Sequence, residues 1–201
     1  MTARSLLIWV VLAGALLVPL TLAVQSPLLA YRDPIYIAAG LAGVAALALM
    51  VLQPLLAAGA LPGLQLPRAR YIHRLVGVLL VTAILVHVGG LWMTSPPDAV
   101  DALLFRSPTP FSVWGVIAMW AVFVTATLAT LRRKLRPRVW RIGHTALAVV
   151  IVAGTVTHAL LIEGTMEPIS KGALCALVIL ATGKAVLPAL RMLGLSPPAG
   201  R

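Results

Sequence analysis

Four histidines, His73, His87, His144 and His158, are all that this chain of 201 residues contains, and they form two pairs with the same fourteen-residue interval. Imidazole is the side chain that ligates metals and moves protons near neutral pH. In an α-helix, fourteen residues rise roughly 21 Å and turn about 1400°, some 40° short of four full turns. Both members of a pair therefore lie on one face of a helix at two well separated depths, too far apart to share one metal.

The elements that carry them are apolar. Residues of hydrophobic type make up 61% of the chain and charged ones 10%, with a mean hydropathy of +1.02. A helix crosses the hydrocarbon layer with about 20 mainly apolar residues. That length predicts six spans: Leu6 to Val24, Pro34 to Leu56, Ile72 to Met93, Val113 to Leu131, Ile142 to Ile162 and Ala173 to Leu193. The expected fold is an all-α integral membrane bundle of six helices, a single domain over residues 1–201. No room is left for a soluble catalytic domain. The first stretch, after Arg4, has the character of a signal-peptide core, but it is long and Leu22-Ala23-Val24-Gln25 is a poor cleavage site, so a retained helix is expected. Cys175 reads as a small core residue.

The net charge of +11 is distributed as topology rather than as a nucleic-acid footprint. Arg132, Arg133, Lys134, Arg136, Arg138 and Arg141 crowd the fourth connection, and Arg68, Arg70 and Arg74 the second, whereas the acids Asp33, Asp98, Asp101, Glu163 and Glu167 fall in the odd connections. The positive-inside rule puts both termini and the even connections in the cytoplasm, with anionic lipid as the partner of the basic face. No nucleic-acid partner is expected. Trp9, Tyr36, Tyr71, Trp92, Trp114 and Trp140 stand near span ends, as interfacial aromatics do.

The third and fifth spans both run outward under this topology, which places His73 level with His144 and His87 level with His158. Intramembrane ionisable groups are costly and usually functional, and three chemistries compete: a metal ion, a proton relay and haem. Zinc wants four ligands in one place, and no Cys, Asp or Glu lies at a suitable depth. A relay needs polar steps, but Val76, Leu80 and Ile84 on the third span and Leu147, Ile151 and Thr155 on the fifth offer almost none. Haem takes one axial ligand from each side and suits one histidine from each helix. Small residues near the ligands, Gly77, Ala83, Gly90, Gly143, Ala148 and Gly154, are expected to give a macrocycle clearance or to pack helices. Arg70, Arg74 and Arg141 flank the inner pair and suit either haem propionates or topology alone. Mid-span Trp120 reads as packing, with a place between the haems as the alternative; Lys184 reads as snorkelling, with contact to a propionate, quinone or flavin phosphate as the alternative.

With six spans, histidine pairs on the third and fifth, and the segments Arg70-Tyr71-Ile72-His73-Arg74-Leu75-Val76-Gly77 and Trp140-Arg141-Ile142-Gly143-His144, the chain resembles the ferric reductase-like transmembrane domain family. That family includes the membrane part of ferric reductases and NADPH oxidases and the haem-binding membrane subunit of the periplasmic methionine sulfoxide reductase system. The resemblance implies two haem b groups, with His73 and His144 on the inner iron and His87 and His158 on the outer. It also implies an inner-membrane electron carrier. Ferric reductases and oxidases of the family usually continue into a cytoplasmic FAD and NADPH domain, whereas this sequence stops at Arg201. A flavin must stand between a hydride donor and a one-electron centre. The expected donor is therefore a flavin reductase, with FMN at the cytoplasmic side, or membrane quinol. The expected acceptor is a periplasmic redox protein or a ferric chelate. The sulfoxide-reductase subunit commonly has arginine at the position of His73, and here both pairs are complete. Direct reduction of ferric chelate or oxygen at the outer haem is the enzymatic alternative, and a non-redox transporter or assembly factor the third.

Overall fold

The computed structural model describes residues 2–192. Seven α-helices follow one another: α1 (Ala3–Val24), α2 (Pro34–Ala57), α3 (Leu66–Thr94), α4 (Pro96–Leu103), α5 (Pro110–Leu131), α6 (Pro137–Leu161) and α7 (Pro168–Met192). All except α4 are long and apolar enough to span a membrane, which makes six spans among the described residues. The chain is a multi-pass membrane protein of all-α architecture. The predicted third and fifth spans are α3 and α6. The far end of the sixth, Leu193, lies outside the described residues.

Four of the long helices, α3, α5, α6 and α7, begin earlier than hydropathy alone places them, because proline at the first or second helical position sets their starts. α3 opens at Leu66–Pro67 rather than Ile72, and α6 at Pro137 rather than Ile142. The basic residues between those points are thus inside the first turns of the helices. Acidic caps reinforce two other starts: Asp33 Oδ1 accepts from Ile35 N and Tyr36 N at 2.7 and 3.3 Å, and the Glu167 carboxylate accepts from Ile169 N and Ser170 N, both at 2.6 Å. Such side-chain acceptors satisfy N–H groups that the first turn leaves free. The short helix α4, amphipathic and Pro-initiated, was not legible from hydropathy, since it is too short to span.

Two helical hairpins, α2 with α3 and α5 with α6, form the body of the bundle, and α7 packs against α2 and α6. The core is the seam among them: Val44, Leu47, Met50 and Val51 of α2 meet Leu174, Cys175 and Val178 of α7, with Leu80, Val122 and Ile151 closing round. Cys175 is buried there, as its core reading expected. α1 buries only Pro19 and Ala23 and stands at the periphery, tied by a hydrogen bond from Trp9 Nε1 to Pro62 O at 3.2 Å. The many exposed Leu, Ile and Val side chains are what lipid contact requires of a bundle whose outside is hydrocarbon. Crucially for the site, α3 and α6 make almost no direct backbone contact; their neighbours hold them apart.

Candidate functional site

The gap between α3 and α6 is bridged at two levels by histidine rings. His73 and His144 stand with ring centroids 6.2 Å apart and planes 69° from parallel. At the other level His87 and His158 stand at 6.4 Å and 78°. The N-terminal histidine of one helix meets the N-terminal histidine of the other, so α3 and α6 run parallel. Among the described residues no group of three or more His, Cys, Asp or Glu side chains comes together, so each level is a two-imidazole site.

Backbone carbonyls orient the rings. His73 Nδ1 bonds to Gln53 O at 3.1 Å, His87 Nδ1 to Ala39 O at 2.8 Å and His158 Nδ1 to Phe111 O at 2.9 Å. A carbonyl only accepts, so in each case Nδ1 carries the proton and Nε2 keeps its lone pair. That is the tautomer in which an imidazole ligates through Nε2, and an Nδ1–H···O=C bond fixes ring direction and raises ligand basicity. Ala39 and Gln53 repeat on α2 the fourteen-residue interval of His87 and His73 on α3. Among the described residues His144 Nδ1 is buried without a partner, and its ring stacks on Trp140 with centroids 4.7 Å apart.

Glycine makes room for two of the rings. A Cβ on Gly43 would lie 2.9 Å from His87 Nδ1, and one on Gly115 2.7 Å from His158 Nδ1. Each glycine stands one turn after the carbonyl that holds its histidine: Ala39 then Gly43 on α2, Phe111 then Gly115 on α5. The two hairpins thus use the same device for the His87–His158 level. A cavity of about 420 Å³ opens around that level, reaching from Met50 and Leu80 past the two histidines to Tyr36, Asp98, Ser107 and Ser112 near α4.

For the small residues the structure decides between the two uses that the sequence left open. Gly90 and Gly154 do not clear space beside a ligand: a Cβ on Gly90 would meet Ala39 Cβ at 2.7 Å, and one on Gly154 would meet Trp114 O at 2.9 Å, so both serve close helix–helix approach. Gly77 and Gly143 likewise face Gln53 and Leu128, and Ala83 packs on the core. Trp120 is 53% exposed and edge-on to Phe123, on the outside of the bundle rather than between the levels. Arg70, Arg74 and Arg141 are exposed, with the Arg74 guanidinium 5.9 Å from the Tyr71 ring centre. Lys184 is exposed as well. The carbonyls of Gln53, Ala39 and Phe111 and the glycines Gly43 and Gly115 went unread in the sequence. Every residue has a carbonyl, so residue type marks none of them; only the repeated interval and the two glycines carried a signal.

The separation of the rings suits a metal held between two imidazoles. A metal–imidazole bond of about 2 Å and about 1.1 Å from ring nitrogen to ring centre put two such centres about 6.2 Å apart, close to both observed separations. With the flanking space between α3 and α6, the donor set fits an iron porphyrin, which is ligated axially from both sides.

The bundle is thus a multi-pass membrane protein that sets two imidazole pairs at two levels between the same two helices. The chain is a member of the ferric reductase like transmembrane component family, whose description matches residues 42–155. The match takes in α3, α5 and most of α2 and α6, with Gly43, His73, His87, Gly115 and His144, and ends just before His158. The family is generally haem-binding, and membership points to transmembrane electron transfer. No curated protein and no solved structure matches the chain significantly.

Proposed function

We propose that this chain is a di-haem b-type cytochrome of the bacterial inner membrane, passing single electrons from a cytoplasmic flavin reductase or membrane quinol to a periplasmic acceptor. The observation that carries this reading is the two imidazole pairs, at 6.2 and 6.4 Å between ring centres. His73 and His144 would hold the inner haem, His87 and His158 the outer. Bound there, each haem would supply a one-electron centre.

The protein's own part is to hold, orient and keep dry. Carbonyls of Gln53, Ala39 and Phe111 lock three ligands in the coordinating tautomer. Between the two levels Val76, Leu80 and Ile151 are buried, so no chain of polar groups invites protons across. The basic connections, with both termini, lie on the cytoplasmic side in this reading. Arg70, Arg74 and Arg141 there would meet propionates, or the phosphate of an FMN donor, by charge-assisted bonds.

Purified protein should show a reduced-minus-oxidised haem b spectrum with about two haems per chain, one per imidazole pair. A colourless, haem-free preparation would refute the reading. The cavity that runs from His87 and His158 to the polar residues near α4 favours a second reading, in which ferric chelate or oxygen is reduced directly at the outer level. Prereduced protein in vesicles, offered ferric chelate, oxygen or periplasmic redox proteins in turn, separates the two by which acceptor reoxidises it.

A further inference from the structure

Three of the four histidines are held by a carbonyl. Among the described residues His144 Nδ1, though buried, has no hydrogen-bond partner. Its ring lies instead on the indole of Trp140, centroids 4.7 Å apart and planes 28° from parallel. Trp140 and His144 are one turn apart on α6, where side chains four residues apart meet. On α5 the carbonyl fourteen residues beyond Phe111 belongs to Thr125, whose hydroxyl bonds to Ala121 O at 2.7 Å, and no bond from His144 reaches it.

The outer ligands are constrained quite differently. His87 and His158 are each fixed at the Nδ1 edge, by a short Nδ1–H···O=C bond and by a glycine one turn further along the same neighbouring helix. Turning either ring away from a metal breaks a hydrogen bond and strands a buried N–H. Turning His144 breaks no hydrogen bond and gives up only the stack. An imidazole without a held Nδ1–H also lacks the added donor strength that a carbonyl confers.

Resting on the di-haem reading, we propose that His144 is the exchangeable ligand of this protein, positioned by the Trp140 stack in place of a carbonyl, and that the inner site admits small neutral donors such as CO or free imidazole that the outer site excludes. Exchange is one-sided, because His73 keeps its bond to Gln53 O at 3.1 Å. Trp140 acts through His144 and is a positioning residue.

The test uses the full-length, haem-loaded protein, with haem content measured first and CO titrated into the dithionite-reduced sample by difference spectrum. The expected result is about one CO per two haems. The variant H87A/H158A, which retains the inner site, should keep CO binding, and H73A/H144A should lose it. In the complete protein, Trp140→Ala should raise CO affinity about two- to tenfold, the equivalent of one aromatic stack, and Trp140→Phe should restore the original value. Haem-free wild-type protein would overturn the cytochrome reading and this proposal with it. Two haems that bind no CO, CO at both sites, or an affinity indifferent to Trp140→Ala would overturn this proposal alone and leave the cytochrome intact.

Discussion

Replacing Gly43 or Gly115 by alanine tests how tightly the outer histidines are clamped. The added Cβ would stand 2.9 Å from His87 Nδ1 and 3.1 Å from its Cε1 at Gly43, and 2.7 and 2.9 Å from the same atoms of His158 at Gly115. Carbon contacts relax at about 3.5 Å or beyond, so each ring must retreat by roughly 0.6–0.8 Å. The rings have little freedom to do so, because Nδ1 is already bonded to Ala39 O at 2.8 Å or Phe111 O at 2.9 Å. A retreat of that size takes the bond past the useful range and leaves a buried N–H unpaired, a loss of about 1–3 kcal/mol. Disturbing an outer-shell partner of a metal ligand typically weakens binding about 10- to 100-fold, which agrees in scale. Haem per chain, measured after competition with a haem-scavenging apoprotein, should therefore fall from about two to about one in either variant, reflecting one bis-imidazole site lost. Gly89→Ala is the matched control: it lies on α3 two residues from His87, and its Cβ would meet nothing within 4 Å. Full retention of both haems in Gly43→Ala and Gly115→Ala, at wild-type affinity, would refute the clamp.

Other outcomes follow from the same geometry. Alanine at His73 or His144 should weaken the inner haem and leave the outer spectrum in place, while alanine at His87 or His158 does the reverse; loss of both haems together from each variant would deny the pairing. Gln53→Leu should retain both haems and change stability by less than about 1 kcal/mol, since the amide Oε1 is buried unpaired and His73 is held by the backbone carbonyl, which the substitution keeps. Lys171→Met should lower the melting temperature in detergent by the loss of about 1 kcal/mol, because Lys171 Nζ caps the end of α6 through Ile162 O at 2.8 Å; an unchanged melting curve counts against that cap. Arg70→Gln and Arg141→Gln should shift the inner midpoint potential downward and spare the outer one, measured by redox titration, as removal of a cation disfavours the electron-rich state.

Much of the bundle was legible because two periodic signals are written in residue type. Runs of apolar residues near the length of a hydrocarbon layer marked all six spans, and their ends moved by only a few residues once proline at the helix starts was taken into account. The interval between histidines survived folding because helical rise and turn depend on residue number alone. Gly90 and Gly154 show where such reading stops. A glycine near a ligand has two uses, clearance and helix approach, and both look alike in sequence; the neighbours Ala39 Cβ and Trp114 O decide for approach. α4 was missed because eight residues make no hydropathy signal of a span.

By itself, then, the sequence determined six membrane spans and which histidines share a face, both consequences of local geometry and of the cost of leaving backbone groups unpaired in hydrocarbon. Only the tertiary structure decided how wide a gap separates α3 from α6, which carbonyls fix His73, His87 and His158, and that His144 rests on Trp140 instead. The reason is physical: a carbonyl belongs to every residue and a gap to none, so both exist only where α2, α5 and α7 have packed to hold the two histidine helices apart.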